Sequence, residues 1–260
     1  MVALEQASSL EGVLRRDRLI AGGGVAAVVV LAWAYLFTGA AVDMSMVGMA
    51  MKPMPWTLSY ALLMFAMWWI MMIAMMVPSA APMILLFTTI KRKQEGSSSA
   101  TIGPGIFLTG YLVVWGAFSL IATLAQWGLE SAGLISTGMT SKSAALAGAI
   151  LLSTGLYQFT PLKGACLRHC QSPLFFLSSN WRAGVAGAFH MGVVHGAYCL
   201  GCCWFLMALL FIGGVMNLNW VAGIAIYVAL EKLLPGGLWL SRGVGATLVV
   251  LGGFVLIRAI

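Results

Sequence analysis

All five cysteines and all three histidines of the chain lie between Cys166 and Cys203. Thiols and imidazoles are soft and borderline ligands for transition metals, and confining both to one stretch points to a site rather than scattered packing. Within it His195, Cys199, Cys202 and Cys203 stand at i, i+4, i+7 and i+8. That spacing puts them on one helical face, with Met191 a turn before and Met207 a turn after. His190 falls on another face. Upstream, Cys166, His169 and Cys170 at i, i+3 and i+4 converge on one patch if 163–171 is helical. A single stripe spreads positions i and i+7 about 10 Å along the axis. A tetrahedral zinc or copper centre needs its ligands at about 2–2.3 Å, so a second element must contribute. Cys166 and Cys170 are the expected contributors. An odd number of thiols also excludes complete disulfide pairing.

Methionine is the other abundant soft donor, with seventeen copies. Met44, Met46, Met49, Met51 and Met54 cluster ahead of Trp56, with Asp43 as one hard oxygen beside them. Met64, Met67, Met71, Met72, Met75 and Met76 then recur at three- and four-residue spacing. Thioether favours Cu(I) and does little for Zn(II). The helical stripe also reads as core filling, because methionine adapts to irregular gaps. The first cluster has no core to fill and reads as a capture loop. Mg(II), Ca(II) and Mn(II) need several oxygen ligands, which are not offered. Copper uses thiolate, imidazole and thioether together, so it is the expected metal; zinc, satisfied by Cys and His alone, is the alternative.

The elements that must hold these residues are apolar helices. The chain is 61% hydrophobic and 8% charged, with mean hydropathy +0.98. A soluble domain carries about a quarter charged residues. Continuous apolar runs of roughly 20 residues cross a bilayer as helices, so the expected fold is all-α, a polytopic transmembrane helix bundle. The runs lie at about 19–41, 57–90, 104–127, 143–160, 183–214, 218–239 and 243–260, giving seven spans with six as the fallback. Residues 1–18 form a cytoplasmic head, 42–56 the Met-rich external loop and 161–182 a connection, all within a single membrane domain 19–260. Arg15, Arg16 and Arg18, and Lys91, Arg92 and Lys93 in a 91–100 loop, thread the N-terminus inside and the C-terminus outside an inner membrane. The net charge of +7 reflects these flanks and no nucleic-acid face. Glu231 and Lys232 fall in the sixth run. Either both snorkel to the interface beside Pro235, or Glu231 faces inward and compensates a bound cation or relays a proton.

Three stretches carry a family resemblance: Met71-Met72-Ile-Ala-Met75-Met76-Val-Pro78-Ser79, Cys166-Leu-Arg-His169-Cys170-Gln-Ser-Pro173, and His195-Gly-Ala-Tyr-Cys199-Leu-Gly-Cys202-Cys203-Trp204. With Met216-Asn217-Leu-Asn-Trp220 and Glu231-Lys232 they span roughly 60–235. The pattern resembles an uncharacterised bacterial and archaeal family of predicted metal-binding integral membrane proteins, which implies a multi-helix membrane protein with a metal site and no assigned reaction. The expectation is therefore a membrane protein that binds copper for transport, delivery or sensing, with a soluble metal-carrying partner. His195, Cys199, Cys202 and Cys203 form the core site. Cys166, His169 and Cys170 make a second or shared one, and Met191, Met44, Met46 and Met49 are further ligands. The rivals are a membrane thiol–disulfide oxidoreductase and a membrane subunit with a structural zinc.

Overall fold

The computed structural model describes residues 2–46, 56–95, 97–136 and 139–259. The architecture is all-α. Helix α1 (Val2–Met46) packs on α2 (Leu58–Glu95), and α2 on α3 (Ser97–Ser131). Helix α4 (Ala144–Tyr157) is followed by the short α5 (Pro161–Gln171) and α6 (Pro173–Asn180). Then come α7 (Gly184–Ala208), a single turn α8 (Leu210–Gly213), α9 (Leu218–Leu233) and α10 (Gly237–Ala259). The principal pairs are α3 with α7, α4 with α10, and α5 with α7.

Among the described residues five helices are long and apolar enough to cross a membrane, and a sixth span results if α4 and α5, bent by 67°, count as one. The expected seventh does not qualify. Helix α9 has 16 residues, about 24 Å at ~1.5 Å per residue, against the roughly 30 Å of hydrocarbon. Its caps explain the length. The Asn217 side chain accepts from Trp220 N at the start, and Pro235 cannot continue the helix.

Three other boundaries differ from the sequence expectation. The 91–100 segment is not a loop: α2 runs on to Glu95 and α3 begins at Ser97. Lys91 is buried, donating to the Gly184 carbonyl at 3.3 Å, and Arg92 pairs with Asp17 at 3.0 Å, so two of its three cations are tied down. Residues 2–18 of the expected head are part of α1, which also extends past residue 42 to Met46. Met44 and Met46 are thus on the helix rather than in a loop, with side chains outside the described set. Met49, Met51 and Met54 lie outside the described residues. The 161–182 connection is helical, because Thr160 and Ser172 each precede a proline at the first helical position, and the Thr160 hydroxyl accepts from Lys163 N.

Two local solutions fix the bundle around its centre. Pro78 removes the donor that Ala74 O would receive inside α2, and the Trp33 indole of α1 supplies one at 3.2 Å. Helix α7 is continuous over Gly184–Ala208, and its glycines serve close approach. A Cβ on Gly192 would fall on the Phe107 carbonyl oxygen of α3, and one on Gly201 would sit 2.8 Å from Cys166 Sγ of α5. The outer faces are apolar, with Leu31, Leu62, Ile121, Ile226 and Ile257 exposed, while Lys91, Lys163, Glu231, Lys232 and Gln126 are buried. That is the reverse of a water-soluble surface.

Candidate metal centre

Five helices bring side chains to one point in the interior. Helix α7 presents His195, Cys199, Cys202 and Cys203, all buried, confirming their shared face. The Cys170 thiol, carried in by α5, faces those of Cys199 and Cys202, and the Cys203 thiol borders both. Helix α2 adds Met76, whose Sδ is 3.9 Å from Cys203 Sγ. Helix α3 adds Tyr111, whose hydroxyl is 3.0 Å from Cys199 Sγ and donates to Met76 O at 3.2 Å. Helix α9 adds Lys232, whose Nζ lies 2.9 Å from Cys199 Sγ, 3.3 Å from Ser79 Oγ, 3.9 Å from Cys203 Sγ and 4.0 Å from Met76 Sδ. A buried ammonium requires such acceptors, and here three of the four are sulfur atoms.

Among the described residues, no set of three His, Cys, Asp or Glu side chains is arranged as a ready-made cage. The reason is visible in the hydrogen bonding. Cys202 and Cys203 Sγ turn back to the Cys199 carbonyl at 3.1 and 2.9 Å, and Cys199 Sγ is held by Lys232 and Tyr111. Rotation about χ1 releases those i−3 and i−4 bonds.

The remaining expected ligands separate. The His195 ring is packed among Tyr111, Phe107 and Phe176 at centroid distances of 5.8, 5.9 and 5.2 Å, and its Nδ1 is buried without a hydrogen-bond partner. His169 stacks on Tyr198 at 4.0 Å and directs Nδ1 to the Ala165 carbonyl at 2.9 Å. Cys166 packs against the backbone at Gly201. Met191 and Met207 are fully buried on α7, and His190 is exposed on the opposite side.

A family model described as the copper chaperone PpoB2 matches residues 65–255. The chain belongs to this copper chaperone family. The match takes in every residue of the cluster, from Met76 to Lys232, and leaves out the Met44–Met54 segment. The metal-related resemblance carried by the cysteine and histidine motifs is in keeping with it. No curated protein and no solved structure matches the chain.

Sequence reasoning left Tyr111, Ser79 and Lys163 out of the site. The Glu231-Lys232 pair does not snorkel: relative exposures are 0% and 4%. The two residues instead point to different partners. While Lys232 reaches the thiols, Glu231 forms an ion pair with Lys163 at 2.7 Å, both side chains being fully buried. Gln171 donates to the Glu231 carbonyl at 2.8 Å, so this bond and the ion pair tie α5, which carries Cys170, to α9, which carries Lys232. Losing one partner of a buried pair strands a charge. Lys163→Met alone is expected to cost about 3–5 kcal/mol, and Lys163→Met/Glu231→Leu to recover most of it, as read by thermal unfolding in detergent.

Proposed function

We propose that this protein takes up copper(I) as cargo at the Cys170, Cys199, Cys202 and Cys203 thiols, inside a bundle embedded in the inner membrane, and passes it to a soluble partner. The observation that carries the reading is the convergence of thiols from two helices with the Met76 thioether around a buried ammonium. Thiolate and thioether together suit Cu(I), whereas zinc gains nothing from the thioether. His195, with a free buried nitrogen, is the adjoining imidazole donor. Met191 extends the same face, Cys166 and His169 flank it on the α5 side, and Met44, Met46 and Met49, ahead of α2 in sequence, gather the ion. Membership of the copper chaperone family supports the choice of metal. The exposed apolar exterior and the long apolar helices support the bilayer.

Charge bookkeeping points the same way. Copper(I) held by two of these groups as thiolates, with the other two protonated, carries one net negative charge, which the Lys232 ammonium cancels inside the dry bundle. Zinc(II) on two thiolates is neutral and leaves the ammonium uncompensated.

The test is anaerobic competition between Cu(I) and Zn(II) for the purified full chain, with and without prior thiol alkylation. Copper is expected to win, at a site abolished by alkylation. Zinc winning at equal availability supports the structural-zinc rival, and absence of both metals supports thiol–disulfide chemistry.

A further inference from the structure

The methionines of α2 that precede Met76 form a feature that the thiol site does not use. Met64, Met67, Met71, Met72, Met75 and Met76 are all buried, none more than 6% exposed. Met64 and Met76 are twelve positions apart, about 18 Å at ~1.5 Å per residue. Successive members at three or four residues are side-chain neighbours on the helix, ~5–6 Å between Cβ atoms.

Both ends of the row meet polar groups. At the lower end Met76 Sδ lies 3.9 Å from Cys203 Sγ and 4.0 Å from Lys232 Nζ. At the upper end Met64 Sδ accepts from Gln126 Nε2 at 3.6 Å. The same amide group donates to Glu130 Oε1 at 2.8 Å, and Gln126 Oε1 accepts from the Trp68 indole at 2.8 Å. Glu130 is half-buried, and its second oxygen accepts from Trp56 Nε1 at 2.8 Å. A carboxylate at the rim of a buried row of thioethers attracts a cation and hands it to soft ligands. Core filling accounts for the apolar burial. It does not account for a thioether serving as acceptor to a buried amide at one end and bordering a thiol at the other.

We propose that these methionines are a relay that carries copper(I) from the Glu130 mouth to the thiol cluster. The inference rests on copper(I) being the cargo of that cluster. Each step exchanges one copper–thioether bond for the next, the metal stays Cu(I), and no proton moves. The relay ends at Met76, beside Cys203.

Leucine matches methionine in volume and apolarity and cannot coordinate, so Met→Leu separates relay from packing. The experiment is anaerobic stopped-flow loading of the full chain in proteoliposomes from a chromogenic Cu(I) chelate. It compares wild type with Met64→Leu/Met67→Leu/Met71→Leu. The expected result is loading slowed at least about ten-fold, with final stoichiometry, affinity and unfolding midpoint unchanged. Equal loading rates overturn the relay while leaving the thiol site standing. Wild type that takes up no thiol-bound Cu(I) overturns both readings. Should the triple variant not fold, the single Met67→Leu, which cuts the row at its second member, carries the same comparison.

Discussion

Cys199→Ser is expected to reduce copper(I) affinity by well over the roughly ten- to hundred-fold that loss of a supporting outer-shell partner costs. Cys199 Sγ is the common neighbour of Cys170, Cys203, Tyr111 and Lys232, so its loss removes the thiol on which the cluster is centred. Serine keeps the size and hydrogen-bonding capacity but replaces a soft ligand by a hard one, so the effect reports coordination rather than packing. Cys170→Ser is expected to follow closely, because one helix stripe cannot close a site by itself and Cys170 is the thiol contributed by the second helix. Cys166→Ser is expected to keep full stoichiometry, since Cys166 packs at the Gly201 backbone. The measurement is anaerobic titration against a Cu(I) chelator of known affinity, with unfolding midpoints as the folding control. Cys199→Ser protein that binds Cu(I) like wild type would remove the thiol cluster as the site.

The difference between Cys166 and Cys170 shows where sequence spacing stops being informative. Both sit on one patch of α5, and helical periodicity assigns them together. What separates them is the close approach of α5 to α7 at Gly201, which puts one thiol on backbone and leaves the other facing sulfur. The stripe of α7 was legible because four donors on one face fix each other's direction whatever surrounds them. Lys232 was legible only as an intramembrane cation. Its target depends on the 16-residue length of α9, bounded by caps at Asn217 and Leu234, with Lys232 Nζ 2.9 Å from Cys199 Sγ. Hydropathy marks that segment as a span, because it measures apolarity and does not see that the helix stops short. Tyr111 and Ser79 carry no signal of their own in an apolar sequence. They acquire a role only when α2 and α3 pack around α7. The Lys91 cluster failed as a loop marker for a related reason: the Gly184 carbonyl and an acidic neighbour gave two of its cations partners inside the fold.

Lys232 carries the second large expectation, a change in metal preference. Replacing it by leucine leaves a copper(I) bis-thiolate with one uncompensated negative charge in a site where Cys199, Cys202 and Cys203 are essentially sealed from solvent. Two unit charges about 4 Å apart interact by roughly 4 kcal/mol at an effective dielectric of about 20. At ~1.4 kcal/mol per decade that is close to three orders of magnitude in affinity. Water entering the space vacated by the side chain screens part of it, so a loss of about a hundred- to thousand-fold in Cu(I) affinity is expected for Lys232→Leu. Zinc(II) responds in the opposite sense, because its neutral bis-thiolate is relieved of a nearby positive charge. The ratio of Cu(I) to Zn(II) affinity is therefore the sensitive quantity, and it cancels any general loosening of the bundle. Lys232→Arg restores the charge on a bulkier head and is expected to recover much of the copper preference. An unchanged ratio in Lys232→Leu, with the protein folded, would mean that the ammonium only fills space beside Cys199 and Ser79. Charge would then have no part in choosing the metal.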